Sequence, residues 1–263
     1  MKEIYSDFAE ELICKQTKND TYEYTISNYE HLCVHHIQIL NDNNLLNKAM
    51  GNYISIEINH HSYEEVYDEV IKCLKLQIYK LLKIKAVRKV MIVGLGNYQI
   101  SCDSLGFDVI HKINLNEHML DCSLITPGVY GKTHIKTYDT IEALKNTYEP
   151  DFIIIIDALA TSKLERLYQV IQINDVGIIP GSGVGNHQKA LNEKSLNIPI
   201  FCIGVATVIS IASILNEMIY DYNEIKNEEY IHTMVSFKSL DMNIKWMSNM
   251  IAKTLEQLLL EMA

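Results

Sequence analysis

Runs of aliphatic residues without polar alternation constrain this chain more than any other feature. Val90-MI-Val93, Phe152-IIII-Asp157 and Ile198-PIFCIG-Val205 leave no position for a wet face. A strand with one solvated face alternates apolar and polar residues, whereas a parallel strand covered on both faces reads as a continuous apolar run. The segments between these runs carry the longer period of helices. The order predicts strand 89–93, a helix opening near Asp103, strand 122–125 and helix 137–147, then strand 152–156 and a brief helical piece at 162–167. Strands 170–173 and 198–205 and a helix at 207–217 follow. Repeated strand–helix units predict an α/β fold, an open three-layer sheet of mostly parallel strands with right-handed crossovers.

Around this core the pattern changes. Residues 1–62 are polar and rich in Tyr and Asn, with alternating pieces at 22–26 and 53–58 that predict half-exposed strands. Val66, Val70, Leu74, Ile78 and Leu82 recur every four residues within 63–85, which marks an amphipathic helix. A second periodic helix spans Asp241–Met262. The uncharged stretch Ile200–Leu215 falls short of the roughly 20 residues a membrane span needs, and Gly204 and Thr207 divide it into a strand and a helix. With no internal repeat and no Pro/Gly-rich linker, a single α/β domain over 1–263 is expected, its chemical core at 85–220. A net charge of −10 opposes direct nucleic-acid binding. Six cysteines without a CxxC pair, and no signal-peptide pattern, predict reduced thiols in the cytoplasm.

In open α/β sheets, ligands sit beyond the carboxyl ends of the strands. Asp103 and Asp157 both follow apolar runs, and Asn97 and the segment Ile179-PGSGVG-Asn186 follow strands as well. An aspartate after a strand often caps the next helix, and Asp103 is open to that role. Asp157 is harder to dismiss, because a carboxylate ending a four-isoleucine strand must be desolvated, paired or used. If the two carboxylates lie close, repulsion keeps one protonated while the other stays ionised. One then activates a water and the other protonates a carbonyl or a leaving amine.

Other motifs weigh less. GLGNYQ and GSGVG both miss the dinucleotide spacing, and TPGVYGKT lacks the first glycine and the helix of a phosphate loop, so it reads as a turn. His31, Cys33 and His35 alternate and would share a strand face. Without a fourth ligand they read as surface residues, and no metal is assigned. Cys102 has no base tied to it and reads as a packed thiol.

GLGNYQISCDSLG, TPGVYG, PDFIIIIDALA, LERLYQVIQINDVGIIPGSGVGN and IPIFCIGVATV occur in this order. Together they resemble the spore germination protease family of endospore-forming bacteria, strongly from Val90 to Ile211. GNYISIEI and TMVSFKSLDMNI resemble its flanking pieces. The resemblance implies a phosphorylase/hydrolase-like fold akin to hydrogenase-maturation proteases, a homotetramer, and location in the forespore or spore core. It implies an endopeptidase that degrades small acid-soluble spore proteins during germination with two acids, here Asp103 and Asp157, and without a cofactor. Backbone amides of Gly181, Ser182, Gly183, Gly185 and Asn186, with Asn97, are the implied substrate contacts. Tyr5-SDFAE-Glu11 resembles the self-processing site, which places a cut at Asp7–Phe8 and a propeptide near 1–7. Cys102 and Phe107 replace prolines usual in the family, Ile179 a histidine and Ser162 an arginine. Two alternatives stand beside this reading: a metal-dependent peptidase using the same acids with His134 or His187, and a non-catalytic paralogue that binds spore proteins.

Overall fold

The computed structural model describes residues 5–13, 20–59, 62–82, 87–181, 188–218 and 233–263. Nine strands among them form one sheet: β1 Tyr22–Asn28, β2 Leu32–Ile39, β3 Gly51–Ile58, β4 Lys89–Gly94, β5 Asp121–Ile125, β6 Phe152–Thr161, β7 Val170–Asn174, β8 Ile200–Ser210 and β9 Met234–Val235. Their order is β1-β2-β3-β7-β8-β6-β4-β5, with β9 against the end of β8. The helices are α1 Tyr63–Leu81, α2 Leu105–Lys112, α3 Tyr130–Thr133, α4 Thr137–Tyr148, α5 Glu193–Leu196, α6 Ile211–Met218 and α7 Leu240–Glu261.

The sheet is mixed, which corrects the expectation of mostly parallel strands. Pairings β5-β4, β4-β6 and β6-β8 are parallel, whereas β8-β7, β7-β3, β3-β2, β2-β1 and β8-β9 are antiparallel. A parallel return needs a crossover of a dozen or more residues. The connection 162–169 is too short for that, so β7 runs against β6 and recruits β3, β2 and β1 in alternating direction. Apolar content alone does not distinguish the two arrangements, because β7 is buried along its whole length.

Alternate residues of β4, β6 and β8 fill two separate cores. Val90, Ile92, Ile154, Ile156 and Ile203 pack with α1, α2 and α7 on one face. Met91, Val93, Ile153, Ile155 and Cys202 pack with Tyr138 and Ile141 of α4 and Leu196 of α5 on the other. Ile153 to Ile156 are all essentially inaccessible, and each such side chain contributes about 1.5–3 kcal/mol relative to exposure. The same two-sided cover extends to β3. Ile54 and Ile56 join the first core, and Tyr53 meets Ala9, Ile37 and Ile39. Residues 53–56 are therefore buried rather than half-exposed, and only the edge strand β1 is largely solvated.

Two strand ends also differ from expectation. β6 does not stop at Asp157 but continues to Thr161, and β8 passes Gly204 and Thr207 to reach Ser210, so α6 starts at Ile211. Asp157 lies opposite Gly204 in the ladder. A Cβ at Gly204 would come within 2.5 Å of the Leu159 side chain, so glycine there lets the pair continue.

α2 packs on β4 and β6 through a glycine contact. A Cβ on Gly106 would fall 2.4 Å from the Leu95 carbonyl oxygen and 2.6 Å from that of Ile156. These are backbone atoms that cannot rotate away. Gly106→Ala is expected to destabilise the fold by about 1–3 kcal/mol through overpacking, read as a lowered urea midpoint.

Candidate functional site

Asp157 follows Ile153 and Ile155 in the pleat of β6, so its carboxylate points to the α4 side of the sheet. It emerges where that core gives way to a cavity of about 430 Å³. Its Oδ1 accepts the N–H of Ala158 at 2.9 Å. Burial pushes its carboxyl well above the usual range, and the charges of Asp103 and Asp7 push the same way.

Asp103 reaches this cavity by a different route. The N–H of Leu95, just past β4, bonds the Ile156 carbonyl at 2.8 Å and ties the β4 loop beside Asp157. Gly96 then adopts φ +100°, and a Cβ there would lie 2.0 Å from the Asp103 carbonyl oxygen. Only glycine permits that approach. Asp103 ends the turn Ser101–Asp103, and its Oδ2 accepts the N–H of Asn97 at 2.8 Å. The carboxylate therefore does not cap α2. The position before α2 belongs to Ser104, whose hydroxyl bonds Asp108 instead. Burial raises the Asp103 carboxyl as well, opposed by the Asn97 amide.

Both acids, Asn97 and Gly181 line the one cavity. Ser182, Gly183, Gly185, Asn186 and His187 lie outside the described residues. His134 sits at the end of α3 with φ +55° and its ring 5.9 Å from that of Tyr130, which lines the cavity, but His134 itself is not among the lining residues. Among the described residues no histidine lines it. Cys102 does line the cavity, and burial together with Asp103 raises its thiol pKa, which disfavours a thiolate nucleophile. One wall is not expected from the sequence: Gly128 to Gly131, which reads there as a plain turn, also borders the cavity. Its two glycines and the strand before it were the available signal.

The N-terminal segment supplies a further neighbour. Asp7 lines the same cavity, and it pairs with β6 through Asp7 N–H to the Ala160 carbonyl at 3.0 Å and Ala160 N–H to Asp7 Oδ2 at 2.8 Å. Lys48 Nζ donates to the Ser6 and Asp7 carbonyl oxygens at 2.9 and 3.1 Å. Phe8 is inaccessible in a pocket of Leu159, Val170 and Ala206, under the Arg166 guanidinium at 4.8 Å. Arg166 in turn binds Glu11 Oε1 at 2.7 Å, Glu10, and Glu57 Oε1 of β3 at 2.9 Å. The Ser162 N–H and hydroxyl both donate to Glu11 at 2.6 Å.

Of the alternating triplet, His31 pairs with Glu69 of α1 at 3.0 Å and stands apart. Cys33 and His35 do share a face of β2.

The germination protease family model matches residues 2–230. The germination protease of Clostridium tetani is 42% identical over 200 residues, which are 70% of this chain and 62% of that protein. That of Clostridium perfringens strain 13 is 36% identical over 204 residues, 72% and 63% of the two chains. The chain thus spans less than two thirds of the length of these relatives. A solved NiFe hydrogenase maturation protease, HycI of Thermococcus kodakarensis, superposes on 65% of this chain and 94% of its own with a TM-score of 0.38 and 15% identity, a score too low to bear on the fold. A family match that takes in the glycine loop, both aspartates and the N-terminal segment, with relatives this similar, means that the chain belongs to the germination protease family.

Proposed function

We propose that this protein is an endopeptidase that cleaves small acid-soluble spore proteins during germination, using water activated between Asp103 and Asp157. The observation that carries the reading is the shared cavity: a carboxyl from within β6 and one from the turn after β4 line it, and burial raises the pKa of each. Asp157, the more strongly raised, keeps the proton of the pair. Asp103, steadied by the Asn97 amide, is the ionised base. Asp103 takes a proton from water as the water oxygen bonds the peptide carbonyl carbon, and Asp157 gives its proton to the carbonyl oxygen. Collapse of the tetrahedral adduct breaks the C–N bond: the proton held on Asp103 passes to the departing amine, and one hydroxyl proton of the adduct returns to Asp157, which leaves the product acid and restores both carboxyls. The backbone amides of the glycine loop from Gly181 to Asn186 steady the carbonyl oxygen.

The same reading assigns Asp7–Phe8 as a self-processing bond. Asp7 lies in the cavity, and the Lys48 ammonium bonds the carbonyl oxygen of that peptide. Residues 8–13 remain anchored by Phe8, Glu10 and Glu11 after such a cut. A phosphorylase/hydrolase-like single domain over 1–263, with helices on both faces of its parallel half, a homotetrameric state and a place in the spore core belong to the same proposal.

The test is incubation of the purified chain with a small acid-soluble spore protein, followed by mass spectrometry of the fragments and of the enzyme's own N-terminus. Discrete fragments cut after an acidic residue are expected, together with a chain beginning at Phe8. A substrate that is bound but stays whole would replace the enzyme by a spore-protein-binding member of the family.

A further inference from the structure

Three side chains outside the cavity converge on the outer part of the sheet. Cys33 of β2 stands directly opposite Glu57 of β3 in the ladder, and His35 lies two residues along the same face as Cys33. Cys33 Sγ is 3.4 Å from His35 Nε2, and that nitrogen is 3.1 Å from Glu57 Oε2. All three donor atoms lie within 4.8 Å of one another. None of them is used by the peptidase chemistry.

The surroundings hold this arrangement in place. His35 Nδ1 is 2.6 Å from the Tyr24 hydroxyl of β1, and the two rings stack at 5.9 Å, so the imidazole is fixed with Nε2 toward Cys33 and Glu57. The second Glu57 oxygen faces Arg166 Nε at 2.9 Å, a charge contact without hydrogen-bond alignment, while Oε2 turns to the cluster. The Arg166 charge is shared with Glu10 and Glu11, and Lys163 is the other cation that acts on Glu57. Partners of this kind orient the ligands of zinc sites.

A tetrahedral zinc ion binds sulfur at about 2.3 Å and nitrogen or oxygen at about 2.0–2.2 Å, which sets its ligand atoms roughly 3.3–3.7 Å apart. The Cys33–His35 and His35–Glu57 separations are close to this without an ion, and the Glu57 carboxylate lies within 4.8 Å of Cys33 Sγ. We propose that Cys33, His35 and Glu57 form a site for one thiophilic divalent cation of the zinc class, its fourth position filled by water. On binding, Cys33 releases its thiol proton to solvent. His35 offers the Nε2 lone pair while its ring proton sits on Nδ1, facing Tyr24. The three ligands and Tyr24 join β1, β2 and β3, and Glu57 connects the ion to the Arg166 anchor of the N-terminal segment.

The experiment titrates the reduced full-length protein with Co²⁺ and then with Zn²⁺. One equivalent of Co²⁺ is expected to produce a thiolate charge-transfer absorption in the near ultraviolet, and Zn²⁺ is expected to displace it. Cys33→Ser should abolish the band, and His35→Gln and Glu57→Gln should each weaken Zn²⁺ binding at least about tenfold, by analogy with losses at even the outer shell of such sites. Zn²⁺ should raise the Tm of the unaltered protein but not that of Cys33→Ser. If Cys33→Ser fails to fold, the folded His35→Gln protein decides by the same two readouts. A protein that takes up no stoichiometric Co²⁺, or a band and affinity unchanged in these variants, overturns the proposal.

Discussion

Asp157→Asn is expected to abolish peptide cleavage while making the folded protein more stable at neutral pH. Loss of a positioned acid or base costs about 10²–10⁴-fold in rate, and Asp103→Asn should cost a similar factor. Groups that act as one unit are not additive, so the double variant should be no slower than the worse single one. The stability effect has the opposite sign. Burial and the Asp103 charge raise the folded-state pKa of Asp157 above its ordinary 3.8. Between that value and the raised one, the folded chain holds a proton that the unfolded chain has released. Stability therefore falls as pH rises through this window. The Asp157→Asn variant has no such group and should lose that part of the slope. Melting curves of both proteins at pH 4 and pH 7 check this: the variant's advantage should be larger at pH 7. Each 1 kcal/mol corresponds to about 2–4 °C for a chain near this size. Full activity in both single variants would remove the two-acid assignment, and an unchanged Tm difference across pH would show that Asp157 is not desolvated.

Arg166→Met is expected to be the most destabilising single change outside the central strands. The Arg166 side chain is 3% exposed and Glu11 is 0% exposed, so removing the guanidinium strands buried carboxylates. Breaking a buried pair from one side costs about 3–5 kcal/mol. The loss should show as a lowered urea midpoint and as protease sensitivity of the N-terminal segment, because Phe8, Glu10 and Glu11 all depend on this residue. Arg166→Lys keeps the charge but not the fork that reaches Glu10, Glu11 and Glu57 together, so it should recover only part of the stability. Adding Glu10→Gln and Glu11→Gln to Arg166→Met should also recover part of it. If it does not, packing under Phe8 rather than stranded charge explains the cost.

The legible and illegible parts of this molecule separate by range. The apolar runs at 90–93 and 152–156 identify buried strands, because continuous Ile and Val content reports cover on both faces. The four-residue period of 66–82 identifies α1, which ends at Leu81 with the last member of the stripe, Leu82, just beyond it. Strand direction is another matter. β7 and β6 read alike in sequence, yet β7 is antiparallel to its neighbours because the 162–169 connection is too short for a crossover. The end of β6 was equally hidden, since Asp157 looks like punctuation until Gly204 is seen opposite it in the ladder.

By itself, the sequence determined which segments are buried, which two carboxylates follow them, and which family's motifs surround both, because those properties depend on residue type and local spacing. The tertiary structure alone decided that the sheet is mixed, that Asp103 turns to the Asn97 amide instead of capping α2, and that Asp7 enters the same cavity. It also placed Glu57 against Cys33 and His35, and Arg166 against Glu10 and Glu11. Apart from the Asp103–Asn97 bond, which a tight turn at Gly96 makes over six residues, each of those depends on strand register or on contacts between residues tens to more than a hundred positions apart, and no local pattern in a chain carries register.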